Sequence, residues 1–280
     1  MPLQLGSYGA FVTPPRLATE ELAAGVEEAG YGTLWVGGNP GGDLGLLERA
    51  LRATIRLVLA TGIINIWKDD AADIAAAWRR IEEATPGRLL LGIGVGHHET
   101  DGARYAKPYQ ALLDYLDELE AGGVPRTATV IGALGPRVLA MSAERSHGAH
   151  PYLTTPRHTR QAREILGTEA LLAPEHKVVL TEDAEVARAL GRDSVVHPYL
   201  SLANYANSLR RQGYTDDDLA GEGSDRLIDD LVAYGPSERI VARLREHLEA
   251  GADHLAVQVL VPRGTDPLDG FRRLAPLLGL

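Results

Sequence analysis

Three consecutive residues, His97, His98 and Glu99, follow the apolar run "RLLLGIGVG" and offer both an imidazole and a carboxylate. Histidine titrates near neutrality, which suits proton transfer to or from a substrate. Either His97 or His98 is therefore a candidate proton carrier, and a solvent-facing loop histidine is the competing reading. Zinc is disfavoured, because adjacent histidines point in different directions and no H-E-x-x-H is present. A second stretch, "ALGPRVLAM", places Gly135, Pro136 and Arg137 at a helix start. Proline suits the first helical position. The free N–H groups there favour an anion such as phosphate, and Arg137 would add a charged hydrogen bond. An ordinary helix start carrying a surface arginine fits the same residues. The acidic run Asp216–Asp218 follows Thr215. It reads as the capped first turn of a helix, and its spacing does not match a calcium loop.

A third stretch, "LATGIINIW", contains Gly62 inside an apolar strand. Glycine weakens a strand unless the backbone bends there or something approaches it closely. Asn65 and Trp67 follow among isoleucines. In "LLLGIGVG", Gly92, Gly94 and Gly96 alternate, so they are expected on one strand face, leaving space beside it. Their spacing is not the dinucleotide fingerprint, and no P-loop lysine motif occurs.

These residues must be carried by elements that bring them together. Short apolar runs alternate with amphipathic segments along the chain. Thr19 is placed to cap the first helix, and the helix from Asp70 carries Ile74, Trp78 and Ile81 on one stripe. About eight strands alternating with helices in 280 residues predict an α/β fold, a (β/α)8 TIM barrel. Its ligands bind at the strand C-termini, and the candidate residues cluster there. Residues 193–235 separate the seventh and eighth strands by more than a normal connection and read as a helical insertion. The expected organisation is one barrel domain over residues 1–280.

The formal net charge of -10 argues against nucleic-acid or anionic-membrane partners. With 0 Cys, thiolate catalysis and cysteine-bound metals are impossible. The start "MPLQLGSYGAF" does not read as a signal peptide, and no apolar stretch reaches membrane-helix length. A cytoplasmic protein acting on a small molecule, without metal, is the simplest expectation.

The stretches "GYGTLWVGG", "LATGIINIW", "PGRLLLGIGVGHHE", "ALGPRVLAMSAERSHGAHPYLTTPRHTRQAREILG" and "AGADHLAVQVL" cover most of the chain. As a set the protein resembles the bacterial luciferase-like superfamily, and within it the actinobacterial coenzyme F420-dependent oxidoreductases. The resemblance implies a barrel binding the deazaflavin F420 at its mouth, hydride transfer to or from an organic substrate, and a homodimer. FMN is the alternative cofactor, with a monooxygenase reaction. The resemblance further implies a cis peptide at Gly62–Ile63 behind the ring. It carries Asn65 to a hydrogen-bonding position near the ring, Val95 and Gly96 to backbone contacts, and Gly135, Pro136 and Arg137 to the phosphate region. Two departures stand out. Gly38 and Asn39 occupy places where relatives have an acidic residue and a catalytic His. His97 stands where they have a Glu. Asparagine is neither acid nor base, so Asn39 cannot repeat the relatives' chemistry. A non-catalytic flavin- or deazaflavin-binding protein remains the third reading.

Overall fold

The computed structural model describes residues 3–102 and 105–280. Its strands are β1 (Tyr8–Val12), β2 (Thr33–Gly37), β3 (Val58–Gly62), β4 (Ile64–Asn65), β5 (Leu89–Gly94), β6 (Thr129–Ile131), β7 (Gly148–Ala149), β8 (Leu171–Leu172), β9 (Glu175–Val178), β10 (Val232–Ala233) and β11 (Leu255–Val259). All their pairings are parallel, running β10-β9-β11-β1-β2-β3-β5-β6-β7-β8, with β4 also on β5. The sequence suggests about eight strands, and eleven are present among the described residues for a local reason. The third and seventh barrel strands are each broken in two, and β10 is an extra short strand beside β9.

The barrel closes through the broken seventh strand. Ala173 N donates to Ala149 O and Glu175 N to Pro151 O, each at 2.9 Å. On the other side Ala256 N donates to Pro174 O at 2.9 Å. The expected α/β fold, a (β/α)8 barrel, is thus present. Central strands covered on both faces need apolar residues on both faces, which is why "LLLGIG" of β5 is wholly buried.

Helices α1 (Glu20–Glu28), α2 (Gly45–Arg52), α3 (Ala71–Ala84), α4 (His98–Asp101), α5 (Pro108–Ala121), α6 (Pro136–Arg145) and α7 (Pro156–Leu166) follow successive strands. Thr19 caps α1 by accepting from Leu22 N at 3.1 Å, and Asp70 caps α3 through Ala72 N at 2.9 Å. The α3 stripe of Ile74, Trp78 and Ile81 is buried, as its spacing requires.

Between β9 and β11 lie α8 (Ala184–Val195), α9 (Ala203–Arg211), α10 (Asp216–Leu219), α11 (Asp225–Leu231), β10 and α12 (Ser237–Glu249), and α13 (Leu268–Leu278) ends the chain. The extra section thus starts within α8 and ends by adding β10 to the sheet, with Val232 opposite Lys177. Thr215 and Asp218 form a reciprocal capping box, so the acidic run is a helix start. This section has its own apolar cluster, including Leu209, Leu227, Ile228 and Leu231. Phe11, Trp35, Ala60, Leu90 and Val130 belong to a separate cluster that fills the barrel interior. Among the described residues, no helix is long and apolar enough to cross a membrane.

Candidate active site

A cavity of about 570 Å³ opens at the C-terminal ends of the barrel strands. Phe11, Gly62, Ile63 and His150 lie at its base, against the barrel-interior layer. Gly94, Gly96, Gly132 and Gly135 contribute backbone to one wall, and Tyr152, Tyr199 and Tyr205 form another.

Gly94, Gly96 and Gly132, together with Gly92 of β5, have steric causes, whereas a Cβ on Gly135 would meet nothing closer than Arg211 at 3.9 Å. A Cβ on Gly92 would lie 2.0 Å from Thr61 O, and one on Gly94 would lie 2.9 Å from Ile63 Cδ1. Thr61 Oγ1 also donates to Gly92 O at 2.9 Å and accepts from Gly92 N at 2.7 Å. The glycine series was expected to leave open space on one strand face. Instead the break between β3 and β4 occupies that space, and the Ile63 side chain fills the room at Gly94. Gly96 differs: its φ is +60°, and a Cβ there would strike Asp101 and Asn65. The Gly62–Ile63 peptide is cis, the conformation implied by the resemblance.

Beside the break, polar groups tie three loops together. Asn39 Oδ1 accepts from Asn65 N at 2.8 Å, and Asn39 Nδ2 donates to Asp69 Oδ2 at 2.8 Å. Its amide is committed to joining the β2 and β4 loops. Asn65 Nδ2 donates to Asp101 at 3.2 Å, and Asn65 Oδ1 accepts from Trp67 N at 2.9 Å. Trp67 Nε1 donates to Val95 O at 2.7 Å. Burial opposes charge on Asp101, but the His97 amide, Asn65 and Thr100 outweigh it and hold its pKa below the usual value.

His97 lines the cavity with Nδ1 buried and unpartnered, and its ring is tilted against Tyr205 at 5.5 Å. Burial lowers its pKa, so the imidazole is neutral at neutral pH. His98 is exposed, packs edge-on against Tyr105 and is not part of the lining. The structure therefore separates the two neighbours: His97 faces the cavity and His98 faces away.

Gly135 and Arg137 line the cavity, while Pro136 sits exposed at the first position of α6. No side chain caps this helix; Pro136 has no N–H and Val138 N donates to Gly135 O at 3.1 Å, which leaves the Arg137 N–H as the free donor of the first turn. Arg137 lies 3.8 Å over the Tyr109 ring. Arg211, from α9, reaches the same turn and donates to Leu134 O at 3.4 Å. Sequence reasoning missed Arg211, because 74 residues of chain and three strands separate it from Arg137. It also missed His150, which no spacing singles out, and the tyrosines Tyr199 and Tyr205 supplied by the insertion.

The tyrosine wall rests on a buried ion pair. Lys177 Nζ lies 2.9 Å from Glu175 Oε1 and 4.0 Å over the Tyr152 ring, while Tyr152 donates to Gln258 Oε1 at 3.1 Å. Burial raises the pKa of Tyr152 and Tyr205 well above 10, so the phenols stay neutral. The charged side chains lining the cavity, Lys68 and Arg137, are both cations, and no Asp or Glu lines it among the described residues. Nor is any group of three or more His, Asp or Glu among those residues placed to hold a metal ion.

Residues 6–254 match the family described as luciferase-like monooxygenase. No protein of curated function matches the sequence. Among solved structures, an F420-dependent secondary alcohol dehydrogenase in complex with an F420-acetone adduct superposes with a TM-score of 0.75 at 14% identity, covering 99% of each chain. The coenzyme F420-dependent tetrahydromethanopterin reductase from Methanopyrus kandleri gives 0.69 at 16% identity, covering 96% of this chain and 97% of that one. The oxygenating constituent of 3,6-diketocamphane monooxygenase from Pseudomonas putida, in complex with FMN, gives 0.71 at 13% identity, covering 97% and 96%. At these identities the likeness concerns the fold.

Proposed function

The chain belongs to the luciferase-like monooxygenase family, and from that premise we propose that it is a coenzyme F420-dependent oxidoreductase acting on a small organic molecule. One observation carries the reading. In a chain of net charge -10, a cavity at the strand C-termini is walled by backbone glycines and tyrosines, and the charged side chains that line it are both cations. Such a slot suits a flat conjugated ring bearing phosphate. The fit extends to the start of α6, where the Arg137 N–H and the Arg137 and Arg211 side chains offer a phosphate donors and positive charge.

When bound, F420 supplies hydride exchange at a ring carbon. The chain's residues do the rest. Gly62 and Ile63 would back the ring, with Asn65, Val95 and Gly96 along its edge. The tyrosine wall keeps water from the reacting face. His97 Nδ1 is the open, uncharged proton acceptor on that side. Asn39, in the relatives' histidine position, anchors Asn65 and takes no proton. A homodimer, as the resemblance implies, working away from membranes and nucleic acid, as the net charge of -10 implies, completes the reading.

Titrating purified protein with F420 and with FMN, followed by fluorescence, tests the assignment. Micromolar or tighter F420 binding, followed by substrate-dependent reduction or oxidation of the bound deazaflavin, is the expected outcome. Tight FMN binding without F420 binding would reverse the cofactor and favour a flavin monooxygenase. Cofactor binding with no turnover across a substrate panel would favour the non-catalytic reading.

A further inference from the structure

His150, the first residue past β7, is the most constrained polar group at the cavity base. It is 2% exposed. One ring face lies on the Trp35 indole, with centroids 4.0 Å apart and planes 10° apart, and the Phe11 ring stacks at 6.0 Å. Trp35 is itself fixed: its Nε1 donates to His254 Nε2 at 2.9 Å, and His254 Nδ1 donates to Gly6 O at 2.7 Å.

His150 Nδ1 lies 2.7 Å from Ala173 O. A carbonyl oxygen only accepts, so Nδ1 carries the proton and Nε2 is a bare lone pair. That Nε2 is buried and has no partner. A Cβ on Gly62 would lie 3.1 Å from it, so the lone pair stands against a glycine that lines the cavity. Buried acceptors are normally paired. Stacked rings close the faces of this imidazole and Ala173 takes its other nitrogen, so the missing donor must come from the cavity.

We propose that His150 Nε2 is a cofactor-binding residue, accepting a hydrogen bond from a hydroxyl or ring N–H of the heterocycle seated over Gly62. The inference rests on the cofactor reading above and adds a residue to it. Burial pushes the His150 pKa down to about 4. The imidazole is therefore neutral under working conditions and acts as an acceptor, not as a phosphate partner like Arg137. A rigid lone pair there rejects any ligand edge that presents only acceptors, because two lone pairs would then face each other without a proton.

The test compares F420 and FMN binding to wild type, His150→Phe and His150→Gln by fluorescence titration. Phenylalanine keeps the stack on Trp35 and removes the lone pair. His150→Phe is expected to bind about ten-fold more weakly. His150→Gln, whose amide oxygen can meet the same donor, is expected to recover most of that loss. Equal affinity of His150→Phe and wild type would overturn the inference while leaving the cofactor reading intact. Wild type binding neither cofactor would overturn both. Should His150→Phe fail to fold by circular dichroism, 15N spectra of histidine-labelled wild type decide. The Nε2 resonance of His150 should move toward that of a hydrogen-bonded nitrogen when cofactor saturates the protein, and an unmoved Nε2 overturns the inference.

Discussion

Gly62 connects local sequence to chemistry through sterics. A Cβ added there would meet the Phe11 ring at 2.9 Å and His150 Nε2 at 3.1 Å. Both rings are packed from below, so neither can give way without disturbing the barrel interior. Gly62→Ala is therefore expected to cost about 1–3 kcal/mol of stability and to weaken cofactor binding as well. Paired thermal melts and titrations check this, and a variant with wild-type values in both would contradict the close approach. The neighbours His97 and His98 give a sharper contrast. His97→Ala should lose most turnover, whereas His98→Ala should retain it, since the exposed ring of His98 is outside the cavity lining. At the anion corner, Arg137→Ala should lower cofactor affinity by about 1–3 kcal/mol, and the loss should shrink in high salt. Removing Arg211 should act in the same direction.

At the scale of elements, the insertion acts on the site through α9. Ala203 N, the first donor of that helix, is received by Glu99 Oε1 at 2.9 Å. This bond holds the Glu99 carboxyl below its usual pKa. A carboxylate from the loop after β5 thus caps a helix more than a hundred residues away, and that helix brings Asn204 and Tyr205 to the cavity and Arg211 to the turn before α6. Glu99→Ala should loosen the start of α9. Faster cofactor dissociation with little change in melting temperature is the expected result, because the barrel itself is untouched. Stopped-flow displacement measures it, and an unchanged off-rate would mean that other contacts hold α9 in place.

Over the whole molecule, acid sensitivity follows from buried neutral imidazoles. Burial lowers the pKa of His150 and His254 to about 4 and of His247 to about 3, and holds His176 well below its ordinary value. In the unfolded chain these groups titrate near 6.5. Between pH 6.5 and 4 the unfolded state therefore binds protons that the folded state refuses. Stability should be level above about pH 6.5 and fall as the pH drops, by about 1.4 kcal/mol per pH unit for each such histidine. Urea unfolding at pH 7.5, 6 and 5 tests this, and midpoints that do not decrease would show that these histidines already carry protons when folded.

Strand and helix alternation, the caps at Thr19 and Thr215, and the glycines at the strand ends were determined by the sequence alone. The physical reason is that periodicity, capping and backbone freedom act over a few residues, so their signals lie side by side in the chain. The broken third strand was visible as Gly62 in an apolar run. The occupant of the space beside Gly92 and Gly94 was not, because Thr61 and Ile63 reach them from a neighbouring strand. Tertiary structure alone decided that His97 faces the cavity while His98 faces away, since one residue of backbone rotation separates the two directions. It also decided that Arg211 joins Arg137 and that His150 stacks on Trp35 with one nitrogen left open. Those relations depend on barrel closure, which sets residues from distant strands a few ångströms apart and leaves no local trace in the order of amino acids.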